Sequence, residues 1–69
     1  MKKKYYVSKI MQFKGDNEVH DENCRWLPDP ANRILLGEFN NCQDAVREAN
    51  WYFKKVNGCY FCSKRCHTS

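Results

Sequence analysis

Hydrophobic positions along the chain fall into three stretches with different periods. Tyr5-Tyr6-Val7-Ser8-Lys9-Ile10-Met11-Gln12-Phe13 alternates imperfectly and is rich in aromatic and branched residues. That pattern predicts a strand over 5–13, closed by Gly15-Asp16-Asn17. Arg33-Ile34-Leu35-Leu36-Gly37-Glu38-Phe39 reads as a second strand, set apart by Pro28-Asp29-Pro30, which stops a helix and turns the chain. From Cys42 the period lengthens. Cys42, Ala45, Val46, Ala49, Phe53 and Val56 recur at helical spacing, so a helix over 42–56 is expected to pack this face on the sheet, with Tyr52 at its border. Asn41 is the expected N-cap, Asp44 suits the positive end of the helix dipole, and Gly58 is the expected C-terminal stop.

The same helical spacing places Arg47, Trp51, Lys54 and Lys55 on the opposite face. A tryptophan among cations on a solvent-facing stripe is a candidate contact surface for DNA, RNA or a protein partner, because tryptophan normally buries most of its area. The alternative is that Trp51 borders the core or is covered by the N-terminal segment. Cys42 is expected to be a buried core thiol.

These elements predict a small α+β domain of two or three short antiparallel strands and one main helix. The chain of 69 residues makes one domain over 1–69, with a core at about 5–63, a basic arm at 1–4 and a tail at 64–69. So short a chain buries too little apolar surface to be comfortable without a staple. Five cysteines, Cys24, Cys42, Cys59, Cys62 and Cys66, cannot all pair within the chain. The start resembles a signal peptide, but Ser8, Lys9, Gln12 and Lys14 interrupt the apolar run. No stretch approaches the length of a membrane span. A reducing cytoplasm is therefore expected, where clustered cysteines hold metal more often than they form disulfides.

Two ligand pairs carry the chemistry. His20-x-x-x-Cys24 and Cys59-x-x-Cys62, the latter following Gly58, offer one imidazole and three thiolates to a tetrahedral zinc. Cys66 or His67 could replace His20 as the fourth ligand, though residues this close to the end of the chain fray readily. Asp16, Glu18, Asp21 and Glu22 lack the spacing of a calcium loop and read as a solvated turn near the metal. No oxyanion-type glycine loop or orienting third group supports a catalytic cysteine–histidine pair, so no enzymatic activity is expected.

Charge is uneven. The formal net charge is +4, with five lysines and no acid over 1–14, five acids against Arg25 over 15–30, and Lys54, Lys55, Lys64 and Arg65 without an acid over 51–69. Three thiolates around a divalent ion would remove about one unit, so attraction to nucleic acid must come from a local patch.

The order His20-x-x-x-Cys24, Asn32-Arg33-Ile34-Leu35-Leu36-Gly37-Glu38-Phe39, Cys42-Gln43-Asp44-Ala45-Val46 and Gly58-Cys59-x-x-Cys62 resembles the N-terminal metal-binding domain of the Ada DNA-repair methyltransferase and its Ada-like relatives. The resemblance covers about 18–63 and implies an Ada-like fold and a zinc ion. In that family the first ligand is a cysteine that also accepts the methyl group. Here the position is His20, an imidazole with its lone pair committed to the metal, so methyl transfer there is not implied. The expected function is a non-catalytic structural-zinc module that contacts nucleic acid through Arg47, Trp51, Lys54 and Lys55. The alternative is a small stand-alone regulatory protein, of bacterial, phage or mobile-element type, that binds a protein partner.

Overall fold

A computed structural model describes residues 1–68; of the expected tail over 64–69, the last position lies outside them. Four strands form one sheet: β1 (Lys3–Ser8), β2 (Asn17–Asp21), β3 (Arg33–Phe39) and β4 (Val56–Gly58), in the order β3-β1-β2-β4. One helix, α1 (Cys42–Ala49), packs on it, and short 3-10 turns occupy Pro30–Asn32 and Lys64–Cys66. The α+β class is as expected.

The sheet is larger than the sequence indicated. β1 pairs antiparallel with β2 and with β3, while β2 pairs parallel with β4, joining Asn17 to Val56 and Val19 to Gly58. Two of these strands fall where a solvated acidic turn and a helix end were expected. In β2, Asp16-Asn17 at the entry and Asp21 at the exit are buried rather than solvated. Buried polar groups are kept when they are hydrogen-bonded. Asn17 Nδ2 donates to Ser8 O at 2.9 Å, and Asp16 accepts from Gln12 Nε2 at 3.0 Å and Asn57 Nδ2 at 3.1 Å.

β1 runs from Lys3 to Ser8, so the predicted strand over 5–13 is shifted toward the N-terminus. Two residues assigned to the basic arm, Lys3 and Lys4, sit opposite Phe39 and Glu38. The shift has a local cause. The Ser8 hydroxyl accepts from Ile10 N at 3.1 Å and donates to Ile10 O at 3.2 Å, turning the chain out of the sheet. Ile10, Met11 and Phe13 are left exposed beyond the turn.

The helix is eight residues long, and the prediction of 42–56 overextends it. Its start is as expected, with Asn41 Oδ1 accepting from Asp44 N at 2.9 Å. At the other end Asn50 N donates to Val46 O at 3.2 Å, and the bonds then tighten to three-residue spacing, from Trp51 N to Glu48 O and from Tyr52 N to Ala49 O. Releasing the chain here lets Val56, Asn57 and Gly58 add a strand beside β2, pairing backbone groups that a longer helix would leave unmatched at that sheet edge. Arg47, Trp51, Lys54 and Lys55 therefore do not share a helical face, and Gly58 is a strand residue rather than a helix stop.

The core lies between α1 and one face of the sheet: Tyr5, Val7, Val19, Leu36, Cys42, Ala45 and Ala49, with Ile34, Phe39, Val46, Phe53 and Val56 packed around them. A bulge between Tyr5 and Tyr6 on the β1–β3 ladder accommodates this packing. Gly37, at φ 133°, takes the backbone conformation that other residues rarely adopt. The irregularity resets the alternation of β3, so that Ile34, Leu36 and Phe39 all serve the core while Leu35 and Glu38 are exposed.

Cys42 and Cys66 are joined by a disulfide across 24 residues of sequence. This corrects two expectations, since Cys42 is not a free core thiol and Cys66 is not available as a metal ligand. Helix dipole, helix face and cysteine spacing gave no hint of the pair, because the partner is delivered by the 3-10 turn at Lys64–Cys66 folding back onto the start of α1.

Candidate metal centre

Strand alternation divides β2 between two faces. Val19 joins the core, whereas Glu18 and His20 point to the other side, and Tyr6 stands opposite His20 on β1. His20 is only 2% exposed. Directly after β2, Asp21 Oδ1 accepts from Asn23 N at 2.9 Å and Asp21 O from Cys24 N at 3.2 Å. This tight turn brings Cys24 back beside the strand end.

β4 supplies the second pair. Its parallel pairing continues as Cys59 N donates to Val19 O at 3.0 Å, which sets Cys59 next to β2 and buries it. Ser63 N donates to Cys59 O at 2.9 Å, closing the turn that carries Cys62. Gly58 is required for this close approach. A Cβ there would lie 2.5 Å from Cys66 Cβ and 2.7 Å from Ser63 O, inside any normal contact distance.

The result is a cluster of His20, Cys24, Cys59 and Cys62 whose ligand atoms all lie within 4.8 Å of one another. Cys24 Sγ and Cys59 Sγ are 3.8 Å apart, and Cys62 Sγ is 3.9 Å from His20 Nδ1. With metal–sulfur bonds of about 2.3 Å, tetrahedral ligands stand about 3.8 Å apart, so the spacing fits a single four-coordinate ion.

No family model, curated protein or solved structure matches the chain. The reading of the site therefore rests on its own chemistry.

Burial pushes the Cys24 thiol up, and raises Cys62 further, while it lowers His20 against an opposing influence from Asp21. Without a cation these groups are held neutral. A divalent ion reverses the balance for the thiols, because it stabilises the thiolates it binds and needs the neutral imidazole that burial already favours. The residues thus fit a metal ion: His20 Nδ1 and the three sulfurs face one another.

Three supporting contacts escaped the sequence reading. His20 Nε2 lies 3.6 Å from Glu18 Oε1, so a carboxylate holds the far side of the ring and leaves Nδ1 for the cluster. Cys62 Sγ accepts from Asp21 N at 3.4 Å and lies 3.7 Å from Ser63 Oγ. Glu18 and His20 stand two residues apart, a signal legible only once β2 is recognised as a strand. His67, the alternative fourth ligand, is not part of the cluster; its Nδ1 lies 3.0 Å from Gly58 O and its ring stands edge-on to Tyr60.

Among the expected contact residues, Trp51 is 83% exposed and Arg47 pairs with Asp44 at 3.2 Å. Lys54 and Lys55 line a shallow surface depression with Asn50 and Asn57. Among the described residues, no helix is long and apolar enough to cross a membrane.

Proposed function

We propose that this chain is a non-catalytic binding module stapled by one structural zinc on His20, Cys24, Cys59 and Cys62. The observation that carries the reading is the mutual spacing of these four ligand atoms, which come from β2, the turn after it and the turn after β4. A closed set of four nitrogen and sulfur ligands leaves no position for a substrate, the hallmark of structural rather than catalytic zinc. Soft thiolates with one imidazole favour zinc among the divalent ions a small domain meets. The Ada-like order of motifs agrees with this role, with His20 in place of a methyl-accepting cysteine.

The ion's contribution is folding. Structural zinc is worth on the order of 10 kcal/mol in small domains. It would tie β2 to the Cys59–Cys62 turn at the edge of the sheet, where β4 is three residues long. Elemental analysis of freshly purified protein is expected to give one zinc per chain, and chelation is expected to unfold it. Absence of stoichiometric metal, or a Cys24–Cys59 disulfide in its place, would remove this reading.

The Cys42–Cys66 disulfide persists only under oxidising conditions, so a cytoplasmic location belongs to a form with that pair reduced. A protein partner anchored on Trp51 is the second reading, favoured by the near-complete exposure of that indole, with Lys54 and Lys55 as its rim. Trp51→Ala in a pull-down with metal content unchanged tests it.

A further inference from the structure

The metal turns carry an aromatic surface that neither the zinc nor the core uses. Trp26 follows Cys24 by two residues, and Tyr60 and Phe61 lie between Cys59 and Cys62. These three side chains are 57%, 50% and 67% exposed, yet they are ordered against one another. The Trp26 and Phe61 rings stand 5.7 Å apart and tilted, and Phe61 meets Tyr60 edge-on at 5.3 Å. They border a groove of about 430 Å³ that reaches Cys59 and His67.

Cations flank the rings on two sides. Lys64 Nζ sits 5.5 Å from the Tyr60 centroid, and Lys64 and Arg65 share a depression with Phe61. On the other side Lys3 and Arg25 share a second depression with Phe61. Asp21 is the acid in that depression, and Lys3 already neutralises it at 3.4 Å. Glu18 reaches the groove, but its carboxylate faces His20.

We propose that the Trp26–Tyr60–Phe61 platform is a binding site for single-stranded nucleic acid. Unpaired bases stack on the exposed rings, and phosphates lie along Arg25 on one side and Lys64 and Arg65 on the other. Charge complementarity selects this occupant. An apolar protein segment would use the rings but leave Arg25, Lys64 and Arg65 without counter-charges, whereas a polyanion with aromatic bases satisfies both. Duplex DNA hides its base faces inside the stack and cannot offer them to Phe61. Recognition by stacking is tolerant of sequence, so little preference among bases is expected. The proposal rests on the zinc reading only in that the metal holds Cys24, Cys59 and Cys62, and thereby the rings, in place.

The test uses the full metal-loaded chain with Trp51→Phe as background, so that Trp26 is the fluorescent reporter. Titration with a twelve-nucleotide oligothymidine at low salt is expected to quench the emission. Phe61→Ala is expected to weaken binding about ten-fold or more. Combined Lys64→Ala and Arg65→Ala is expected to weaken it and to flatten the salt dependence. A logarithmic salt slope of about −2 is expected for the three phosphates neutralised. Metal content and circular dichroism are recorded on every sample. Missing metal defeats the zinc reading. Full metal with no binding of the oligonucleotide, equal binding of a duplex, or an undiminished affinity in Phe61→Ala overturns the platform alone, and capture of a protein through these rings without nucleic acid would do the same.

Discussion

At the scale of single residues, Glu18 stands beside the His20 imidazole on the side away from the sulfurs. It is not a ligand, but its carboxylate lies 3.6 Å from His20 Nε2 and sets which ring nitrogen faces the three sulfurs. Burial and the neighbouring Asp16 raise its pKa, against opposing influences from His67 and a hydrogen bond from Gln12. Groups of this kind are typically worth 10- to 100-fold in metal affinity. Glu18→Gln is therefore expected to weaken zinc binding about ten-fold while leaving the stoichiometry at one, as read by competition with a chromophoric chelator. Gly58 makes the complementary case, in which absence of a side chain is the functional property. Gly58→Ala is expected to destabilise the fold by about 2 kcal/mol or more in a denaturant titration, because neither Ser63 O nor the disulfide-bound Cys66 can yield easily. An unchanged midpoint would mean that the Lys64–Cys66 turn is not packed as described.

At the scale of elements, one covalent cross-link holds the chain after β4, and a bound metal would add a second. With an ion bound, the ligand set would tie this segment to β2, and the disulfide ties it to the first residue of α1. With a helix of eight residues, too short to be stable in isolation, α1 depends on this anchoring and on burial of Ala45 and Ala49. Closing a loop of this length stabilises by about 3 kcal/mol in the chain-entropy account. The double variant Cys42→Ser, Cys66→Ser is thus expected to lower Tm clearly yet to keep one equivalent of metal. Loss of metal in that variant would show the two staples to be a single cooperative unit. The Asn57 side chain adds a third, hydrogen-bonded tie, accepting from Thr68 N at 2.8 Å while donating to Asp16 at 3.1 Å.

At the scale of the whole molecule, the pH dependence follows from the metal centre. Burial lowers the His20 pKa below its ordinary 6.5, so the unfolded chain binds more protons than the folded one. Stability from this group is fully present above pH 6.5 and declines as the pH falls from there to the lower pKa of the folded state. Bound thiolates act in the same sense, since their pKa values in the metal complex lie below those of free thiols and acid returns the protons that metal displaced. Acid titration of the loaded protein is expected to release metal and unfold the domain together below about pH 6. Release without unfolding would separate the ion from the fold.

The sequence marked His20, Cys24, Cys59 and Cys62 as a candidate ligand set, because local turns impose the spacing within His-x-x-x-Cys and Gly-Cys-x-x-Cys, while the exclusion of Cys66 and His67 waited for the fold, which pairs one with Cys42 and sets the other against Gly58 O. It also determined the class of fold, the strand Arg33–Phe39, and the helix start at Asn41, where a cap residue and a change of hydrophobic period coincide. What remained for the tertiary structure was everything decided by partners distant in sequence. The residues after Ala49 keep a helical period in their apolar positions, but pairing Val56–Gly58 beside β2 satisfies backbone groups on both strands. Asn17–Asp21 reads as a polar turn and becomes a central strand, because Asn17 finds a buried partner in Ser8, the adjoining Asp16 finds one in Asn57, and Asp21 pairs with Lys3. The pairing of Cys42 with Cys66 and the gathering of Trp26, Tyr60 and Phe61 have the same origin. Periodicity reports which face of an element is apolar; only the packed chain decides which other element that face meets.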